Sequence, residues 1–141
     1  MNKYNSEGYP DPTAYEALKT IEAEVKNQPF RPIVFICSPF AENVERNISR
    51  AQGYSRFAVS QNYIPFAPHL LFPQFMDDAD TDQRKLGLFF GMVFLAKCHE
   101  MWVFGRNITK GMSVEIEKAK QKNITIRYFN ERCEEVFSNG A

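Results

Sequence analysis

The chain has 141 residues, of which 44% are apolar and 24% charged, a composition typical of one ordinary globular domain. Its 17 basic and 17 acidic residues give a net charge of zero, which argues against sequence-independent binding to a nucleic-acid polymer or to an anionic membrane. The longest strongly apolar stretch, residues 86–96, is about half of what a membrane-spanning helix needs.

The sequence also predicts a cytoplasmic location. The N-terminus, MNKYNSEGYPDP, is polar and does not resemble a signal peptide. Three cysteines, Cys37, Cys98 and Cys133, have unpatterned spacings, which suits a reducing compartment. We interpret all three as packing residues.

Residues 1–30 are predicted to form a loose arm and one amphipathic helix. Asp11 is suited to cap this helix and Pro12 to open it. An apolar stripe then continues to about Lys26. Because this helix lies outside the strand-helix repeat that follows, we expect it to pack across the sheet or against a partner subunit.

The first strand-helix unit begins with the buried strand Ile33–Cys37 (IVFIC). A turn at residues 38–40 leads to a helix over about residues 43–61. The apolar face of this helix is predicted to comprise Val44, Ile48, Ala51, Ser55 and Ala58. Its solvated face is predicted to carry Glu45, Arg46, Arg50, Gln52 and Arg56.

Residues 63–67 (YIPFA) are predicted as a short second strand, and Pro65 places it at an edge. A loop then runs to an acidic cluster at residues 77–82, which we interpret as solvated. Asp80 or Thr81 caps the next helix there, and Gln83 completes a capping box. Residues 86–96 are apolar on nearly every side, which predicts burial in the domain or in a subunit interface. We expect a homodimer or higher homo-oligomer through this helix or the N-terminal one.

Residues 101–104 are predicted as a third, buried strand, residues 124–129 as a fourth, and residues 130–137 as a short closing helix. This alternation predicts an α/β fold: a three-layer, open parallel sheet of four to five strands, Rossmann- or flavodoxin-like, with an extra N-terminal helix. The predicted domains are residues 1–30, an arm and helix, and residues 31–141, one α/β domain.

The strand-loop-helix junction at residues 101–119 is the main candidate site, since ligands bind beyond the carboxyl ends of such strands. Ser113 is predicted to cap the helix, and the backbone N–H groups of Gly111, Met112 and Ser113 to face an anionic or polyhydroxyl ligand. Glu115, an ionised carboxylate in the first turn, could attack the anomeric carbon of a sugar. The alternative is that Glu115 only complements the helix dipole.

The remaining polar candidates are weaker. Asn107, Thr109 and Ser113 could contact ligand hydroxyls, but loops are polar in any case. His69, where the second strand ends, could donate to a base or phosphate, or could be structural; His99 is interpreted as structural. With two histidines and no paired cysteines, no metal site is expected, and no cofactor is predicted.

Five segments together resemble the nucleoside 2-deoxyribosyltransferase-like superfamily, and within it the bacterial and phage domains of unknown function of the DUF4406 and DUF7768 type. They are VFICSPF at 34–40, Asn47 with Ala51 in the following helix, IPFAPHL at 64–70, CHEMWVFG at 98–105 and ITKGMSVEIEKA at 108–119. The resemblance covers residues 33–128.

The resemblance implies a reaction and a set of residues. The pattern of Gly111, Glu115 and Ala119 makes Glu115 the nucleophile that displaces a nucleobase from (deoxy)ribose. Thr109, six residues earlier, would contact base or phosphate. The substrate-cradling turn after the first strand would comprise Cys37, Ser38, Pro39 and Phe40.

Three departures from the superfamily pattern bear on the chemistry. Phe35 stands where many members have a Tyr that positions the nucleophile. Gly91 lies near the place of an Asp that assists base departure in the transferases, and His99 replaces an acid before the third strand. The leaving-group acid is therefore unassigned, with Asp82, Arg84 and His69 as candidates.

Three functions remain open. The first is cleavage or exchange of an N-glycosidic bond in a nucleoside, nucleotide or nucleotide-derived metabolite, with a hydrolase favoured over a transferase. The second is a non-catalytic nucleotide-binding module of the same fold. The third is a purely structural oligomer, which depends only on the apolar helix. The expected partner is a small nucleoside or nucleotide.

Overall fold

A computed structural model describes residues 12–137. The helices are α1 (Pro12–Lys26), α2 (Val44–Ser60), α3 (Pro68–Leu71), α4 (Thr81–Leu95) and α5 (Lys110–Gln121), and a 3₁₀ turn spans Phe72–Gln74. The strands are β1 (Ile33–Cys37), β2 (Ile64–Phe66), β3 (Glu100–Phe104), β4 (Thr125–Phe129) and β5 (Glu135–Val136).

The chain divides into two compact units between Phe30 and Arg31. The first unit contains α1, which begins at Pro12 and ends at Lys26, as the proline and the apolar stripe predict. The expected arm at residues 1–10 and the expected cap Asp11 lie outside the described residues. The second unit contains the sheet and every other element.

The second unit is a five-stranded sheet in the order β2-β1-β3-β4-β5. The first four strands are parallel, and β5 pairs antiparallel with β4. The predicted α/β fold with an open, mostly parallel sheet is therefore confirmed, as is the edge position of β2. Pro65 is tolerated there because proline has no N–H to donate, and an edge strand has a neighbour on one side only.

Alternation along the central strands builds two apolar layers, one on each face of the sheet. Phe35 and Cys37 of β1 pack with Met112, Ile116 and other residues of α4 and α5 on one face. Val34 and Ile36 point to the other face, where α2 covers Trp102 and Phe104. The central strands are buried on both sides, which explains their continuous apolar sequences.

The strand order reverses between β1 and β3, whose carboxyl ends are neighbours through the pairing of Cys37 with Val103. From these ends the chain runs to helices on opposite faces of the sheet, α2 after β1 and α5 after β3. The loops at this reversal leave a crevice, and this is where open α/β sheets bind ligands.

The buried face of α2 differs from the predicted one. Ala51, Tyr54 and Ala58 are buried, whereas Val44 is exposed. Tyr54 displaces the predicted pattern because its ring stacks on Phe104, with centroids 4.0 Å apart.

The segment after β2 is also more ordered than the predicted loop. Pro68 opens the four-residue helix α3, and the 3₁₀ turn follows directly. A proline without an N–H is well suited to a first helical position.

The predicted Asp80 cap of α4 is confirmed, because its carboxylate accepts from the N–H groups of Asp82 and Gln83 at 2.9 and 3.2 Å. The capping box is wrong: the Gln83 side chain accepts instead from the N–H of Asp77 at 2.7 Å. Burial of α4 within the domain is also wrong. Its fully buried residues are Gly91 and Leu95, and Leu86, Phe89, Val93 and Phe94 are each 45% to 58% exposed.

Residues 130–137 form a hairpin rather than the predicted closing helix. The Asn130 side chain accepts from the N–H groups of Arg132 and Glu134 at 2.9 and 3.0 Å, and Cys133 has a left-handed φ of 63°. The Arg127 guanidinium then holds Glu135 through two bonds of 2.9 and 2.7 Å. The side-chain turn and this ion pair outweigh the helix propensity of the glutamates.

None of the helices in the described part of the chain is long and apolar enough to cross a membrane.

Candidate active site

Helix α5 carries Glu115 into the crevice, and Thr109 determines where that helix begins. The Thr109 hydroxyl accepts from the N–H of Met112 at 3.2 Å, the bond of an N-cap residue. Ser113, the predicted cap, is exposed, lies inside the helix and donates to the carbonyl of Lys110 at 2.8 Å. Glu115 therefore lies in the second turn of α5, rather than in the first turn as predicted.

The Glu115 side chain is buried, with 5% of the residue exposed. Its Oε1 accepts from the thiol of Cys37, with Sγ 3.4 Å away. Its Oε2 faces α4, because a Cβ built on Gly91 would lie 4.0 Å from this oxygen. The carboxyl group is thus enclosed by β1, α4 and α5.

The pKa of Glu115 is raised from 4.5 to about 8. Burial causes the rise, and the hydrogen bond from Cys37 partly opposes it. The predicted ionised carboxylate is therefore wrong for the free protein, because most molecules carry a protonated Glu115 at pH 7. An acid whose pKa lies near neutrality in a cleft is a recurrent feature of functional sites.

Cys37 does more than the packing predicted for it. The pKa of its thiol is raised well above its usual value by burial and by the nearby Glu115, so the thiol keeps the proton that it donates. Cys98 behaves as predicted: it is buried and donates to the carbonyl of Phe94 at 3.4 Å. All three cysteines are free thiols.

The Glu115 cleft, as we name it, contains about 850 Å³ of empty space, part of it open to solvent. The cleft is bounded by the turn after β1, by α3, by the start of α4 and by the start of α5. Its lining residues are Phe40, Ala41, Pro68, His69, Phe72, Pro73, Met76, Asp78, Gln83, Arg84, Gly87, Leu88, Thr109, Lys110, Gly111, Met112 and Glu115.

His69 ties two walls of this cleft together. Its Nε2 lies 2.9 Å from the carbonyl oxygen of Ser38, and its ring stacks on Phe40 with centroids 4.9 Å apart. Burial lowers the pKa of His69, so at neutral pH the ring is neutral and Nε2–H is the donor. The two predicted contacts, His69 and Phe40, are therefore neighbours in one aromatic wall.

The structure changes the choice of acids near Glu115. His69 and Arg84 line the cleft, whereas Asp82 does not. Asp78 does line it, although we predicted the whole acidic cluster to be solvated. Its negative charge partly opposes the burial that lowers the pKa of His69. Neighbouring aspartates look alike in the sequence, so the sequence could not distinguish Asp78 from Asp82.

A second cleft, which we name the arginine cleft, lies at the same end of the sheet and contains about 880 Å³ of empty space. Ala41 and Thr109 line both clefts, so the two clefts adjoin. The arginine cleft holds three predicted residues, Ser38, Pro39 and Asn107. Its other lining residues, none of which was predicted as a ligand contact, are Glu42, Asn43, Arg46, Asn47, Arg50, Tyr54, Phe104, Gly105, Arg106 and Glu131.

The predicted site residues therefore divide into groups. Glu115, Phe40, His69, Thr109, Gly111 and Met112 line the Glu115 cleft; Ser38, Pro39, Asn107 and again Thr109 line the arginine cleft; Cys37 lies behind Glu115; and Ser113 lines neither. Among residues 12–137 no three His, Cys, Asp or Glu side chains cluster as the ligands of a metal ion do.

Comparison with known protein families adds one finding. A family model described as "Domain of unknown function (DUF7768)" matches residues 32–129. The chain belongs to the DUF7768 family. The matched DUF7768 region runs from the start of β1 to the end of β4 and includes both clefts apart from Glu131, whereas α1 and β5 lie outside it. No curated protein matches the chain.

Proposed function

We propose that this protein cleaves an N-glycosidic bond in a nucleoside, a nucleotide or a nucleotide-derived metabolite, with Glu115 as the nucleophile. The observation that carries the proposal is a single carboxyl group buried in the wall of a cleft that opens to solvent, where Oε1 accepts from the Cys37 thiol and Oε2 faces Gly91. A group held in this way is suited to react rather than to be solvated.

In the proposed reaction, the ionised Glu115 attacks the anomeric carbon, the bond from that carbon to the base nitrogen breaks, and the base leaves with a proton from a donor in the cleft. Water then attacks the glycosyl ester, which releases the sugar and restores the carboxylate. Asp78 and His69 line the cleft and are the candidates for moving these protons.

The likeness to nucleoside 2-deoxyribosyltransferases supports this chemistry. The segments that resemble the superfamily are distant in sequence but lie around one crevice: β1 and its turn, α3, and the start of α5. Gly91, near the place where the transferases carry an Asp, faces Oε2 of Glu115. Because this chain has neither that Asp nor the Tyr that Phe35 replaces, we favour hydrolysis over transfer to a second base.

The test is to incubate the protein with deoxynucleosides, ribonucleosides and their 5′-monophosphates at pH 8.5, and to measure free base by chromatography. We expect release from one substrate class, and loss of at least about 100-fold in Glu115→Gln, as for removal of a covalent nucleophile. Glu117→Gln is the matched control, because Glu117 is an exposed glutamate on the same helix. Release that survives in Glu115→Gln would contradict the proposal.

A nucleotide-binding module without catalysis is the second candidate, and the pKa of Glu115 favours it. An ionised, unpaired carboxylate would repel a phosphate, but a carboxyl with a pKa of about 8 is mostly neutral at pH 7. It can then donate a hydrogen bond to a ligand. In this case Glu115→Gln keeps or improves nucleotide binding, and no substrate yields free base.

We also propose that the protein forms a homodimer through α4. Leu86, Phe89, Val93 and Phe94 form an apolar face on one helix, each 45% to 58% exposed, and such a surface is typical of subunit interfaces. Light scattering at micromolar concentration should give twice the mass of 16.3 kDa, and Phe89→Lys should give the monomer mass. A monomeric wild-type protein would refute this part of the proposal.

A further inference from the structure

We propose that the arginine cleft binds the phosphate of the substrate, so that the substrate of Glu115 is a phosphate monoester of a nucleoside rather than the nucleoside itself. This inference rests on the proposed function, and it assigns the substrate class and a second set of binding residues.

The first observation is the charge of the arginine cleft. It is lined by three guanidinium groups, those of Arg46, Arg50 and Arg106, and by two carboxylates, those of Glu42 and Glu131. Arg50 and Glu131 neutralise one another in an ion pair of 2.8 Å. Within residues 12–137, Arg46 and Arg106 make no such pair. They approach from α2 and from the loop after β3, so a bound group between them would meet cations from two elements. Arginine is the residue best shaped for phosphate oxygens.

The second observation is a buried hydroxyl that lacks a partner. Ser38 is 2% exposed and lines this cleft, and its Oγ has no hydrogen-bond partner among the described residues. A buried polar group without a partner is energetically unfavourable and rare in native structures. A phosphate oxygen in the cleft would supply the acceptor that this hydroxyl lacks.

The third observation is that the wall of the cleft is already fixed. The Asn47 side chain donates to the carbonyl oxygens of Phe40, Ala41 and Glu42 at 2.9, 3.2 and 2.7 Å. These bonds hold the turn after β1, where Glu42 has a left-handed φ of 59°. A preformed wall reduces the ordering cost of binding.

The fourth observation connects the two clefts. Ala41 and Thr109 line both, and Thr109 is the N-cap of the twelve-residue helix α5. The positive end of that helix therefore lies at the boundary between the clefts. One ligand can place its sugar beside Glu115 and its phosphate toward Arg46 and Arg106.

The decisive experiment compares a nucleoside with its 5′- and 3′-monophosphates in the base-release assay and in a binding assay on Glu115→Gln. We expect kcat/KM for one monophosphate to exceed that for the nucleoside by at least about 30-fold, and the preference to weaken as salt is raised. The double variant Arg46→Ala/Arg106→Ala should lower kcat/KM for the monophosphate to that for the nucleoside, which removes the preference. Arg56→Ala is the matched control, because Arg56 is an exposed arginine of α2 that lines neither cleft.

Ser38→Ala gives a second test, because two measured quantities should change in opposite directions. It removes the unpartnered hydroxyl, so the melting temperature of the free protein should rise, while the affinity of Glu115→Gln for the monophosphate should fall several-fold. A fall in both quantities would mean that Ser38 is structural, which contradicts its assigned role. Inorganic phosphate should compete with the monophosphate for wild type but not for the double arginine variant.

The outcomes separate the two proposals. Base release that depends on Glu115, with equal kcat/KM for nucleoside and monophosphates, would overturn the phosphate site and leave the proposed function standing. Monophosphate binding that depends on Arg46 and Arg106, without base release from any compound, would uphold the phosphate site and overturn the catalytic proposal. Binding that is unchanged in the double arginine variant would overturn the phosphate site directly.

Discussion

The thiol of Cys37 donates a hydrogen bond to the Glu115 carboxyl, with Sγ 3.4 Å from Oε1. Both groups are buried, one in the last residue of β1 and the other in the second turn of α5. Phe35, two residues earlier, lies on the same face of β1 and has no hydroxyl that could donate to Glu115. The donor to the glutamate from this face of β1 is Cys37.

Removal of this donor should raise the pKa of Glu115, because the hydrogen bond from Cys37 lowers it. We expect Cys37→Ala to shift the rise of kcat/KM with pH to higher pH. Cys37→Ser retains a donor and should keep the profile near that of wild type. The measurement is kcat/KM against pH for the three proteins. Identical profiles for Cys37→Ala and wild type would show that the thiol does not act on the carboxyl group.

The raised pKa of Glu115 also makes stability depend on pH. Between pH 4.5 and about 8 the native state holds a proton that the unfolded chain has released, so the free energy of unfolding falls as pH rises through this window. Glu115→Gln carries no such proton. The free energy of unfolding of this variant should therefore exceed that of wild type by an amount that grows with pH. The difference should be near zero at pH 4.5 and at most about 5 kcal/mol above pH 8, at about 1.4 kcal/mol per pH unit.

Denaturant unfolding of wild type, Glu115→Gln and Glu117→Gln at pH 5, 7 and 9 measures this advantage. Glu117 is exposed, so its variant should follow wild type at every pH. A constant difference between wild type and Glu115→Gln across the range would mean that Glu115 is ionised throughout.

Gly91 of α4 faces Oε2 of Glu115, whereas Cys37 donates to Oε1. A Cβ there would lie 4.0 Å from Oε2 of Glu115, from Phe35 and from Pro68, which is ordinary van der Waals contact. Gly91→Ala should therefore fit, and it should raise the free energy of unfolding by about 0.5–1 kcal/mol, because glycine is unfavourable inside a helix.

Gly91→Asp places a second carboxyl group beside the first. Two carboxyl groups this close do not both ionise readily, so the rise of kcat/KM with pH should move to higher pH than in Gly91→Ala. The pH profiles of the two variants provide the comparison. A profile for Gly91→Asp that coincides with that of Gly91→Ala would show that residue 91 does not face Glu115.

Local patterns were sufficient to predict most of the sheet. The apolar run of β1, the proline in β2 and the Asp80 cap of α4 each report a preference that needs no distant partner. The closing hairpin could not be predicted in this way, because it depends on the Asn130 turn and on the pairing of Arg127 with Glu135.

The candidate site shows the same division. Glu115 and Thr109 were indicated by their places in a motif, but the start of α5 was misplaced because Thr109 and Ser113 are both good caps and only the fold distinguishes them. Arg106 lies in the predicted junction at residues 101–119, but neither Arg106 nor Asp78 was predicted to contact a ligand. Arg46 and Arg50 of α2 were predicted to lie on a solvated face, but they line a cleft together with the loop after β3.

The central claim is that Glu115 forms a covalent bond with the sugar, and the most direct measurement is the mass of the trapped intermediate. A 2-fluoro-arabino analogue of the preferred substrate slows hydrolysis of the glycosyl ester, so the denatured, trypsin-digested protein should contain peptide 111–118 heavier by the glycosyl group. Fragmentation should place the group on Glu115 and not on Glu117, and Glu115→Gln should remain unlabelled. Base release without any label on Glu115, or a label on another residue, would contradict this mechanism.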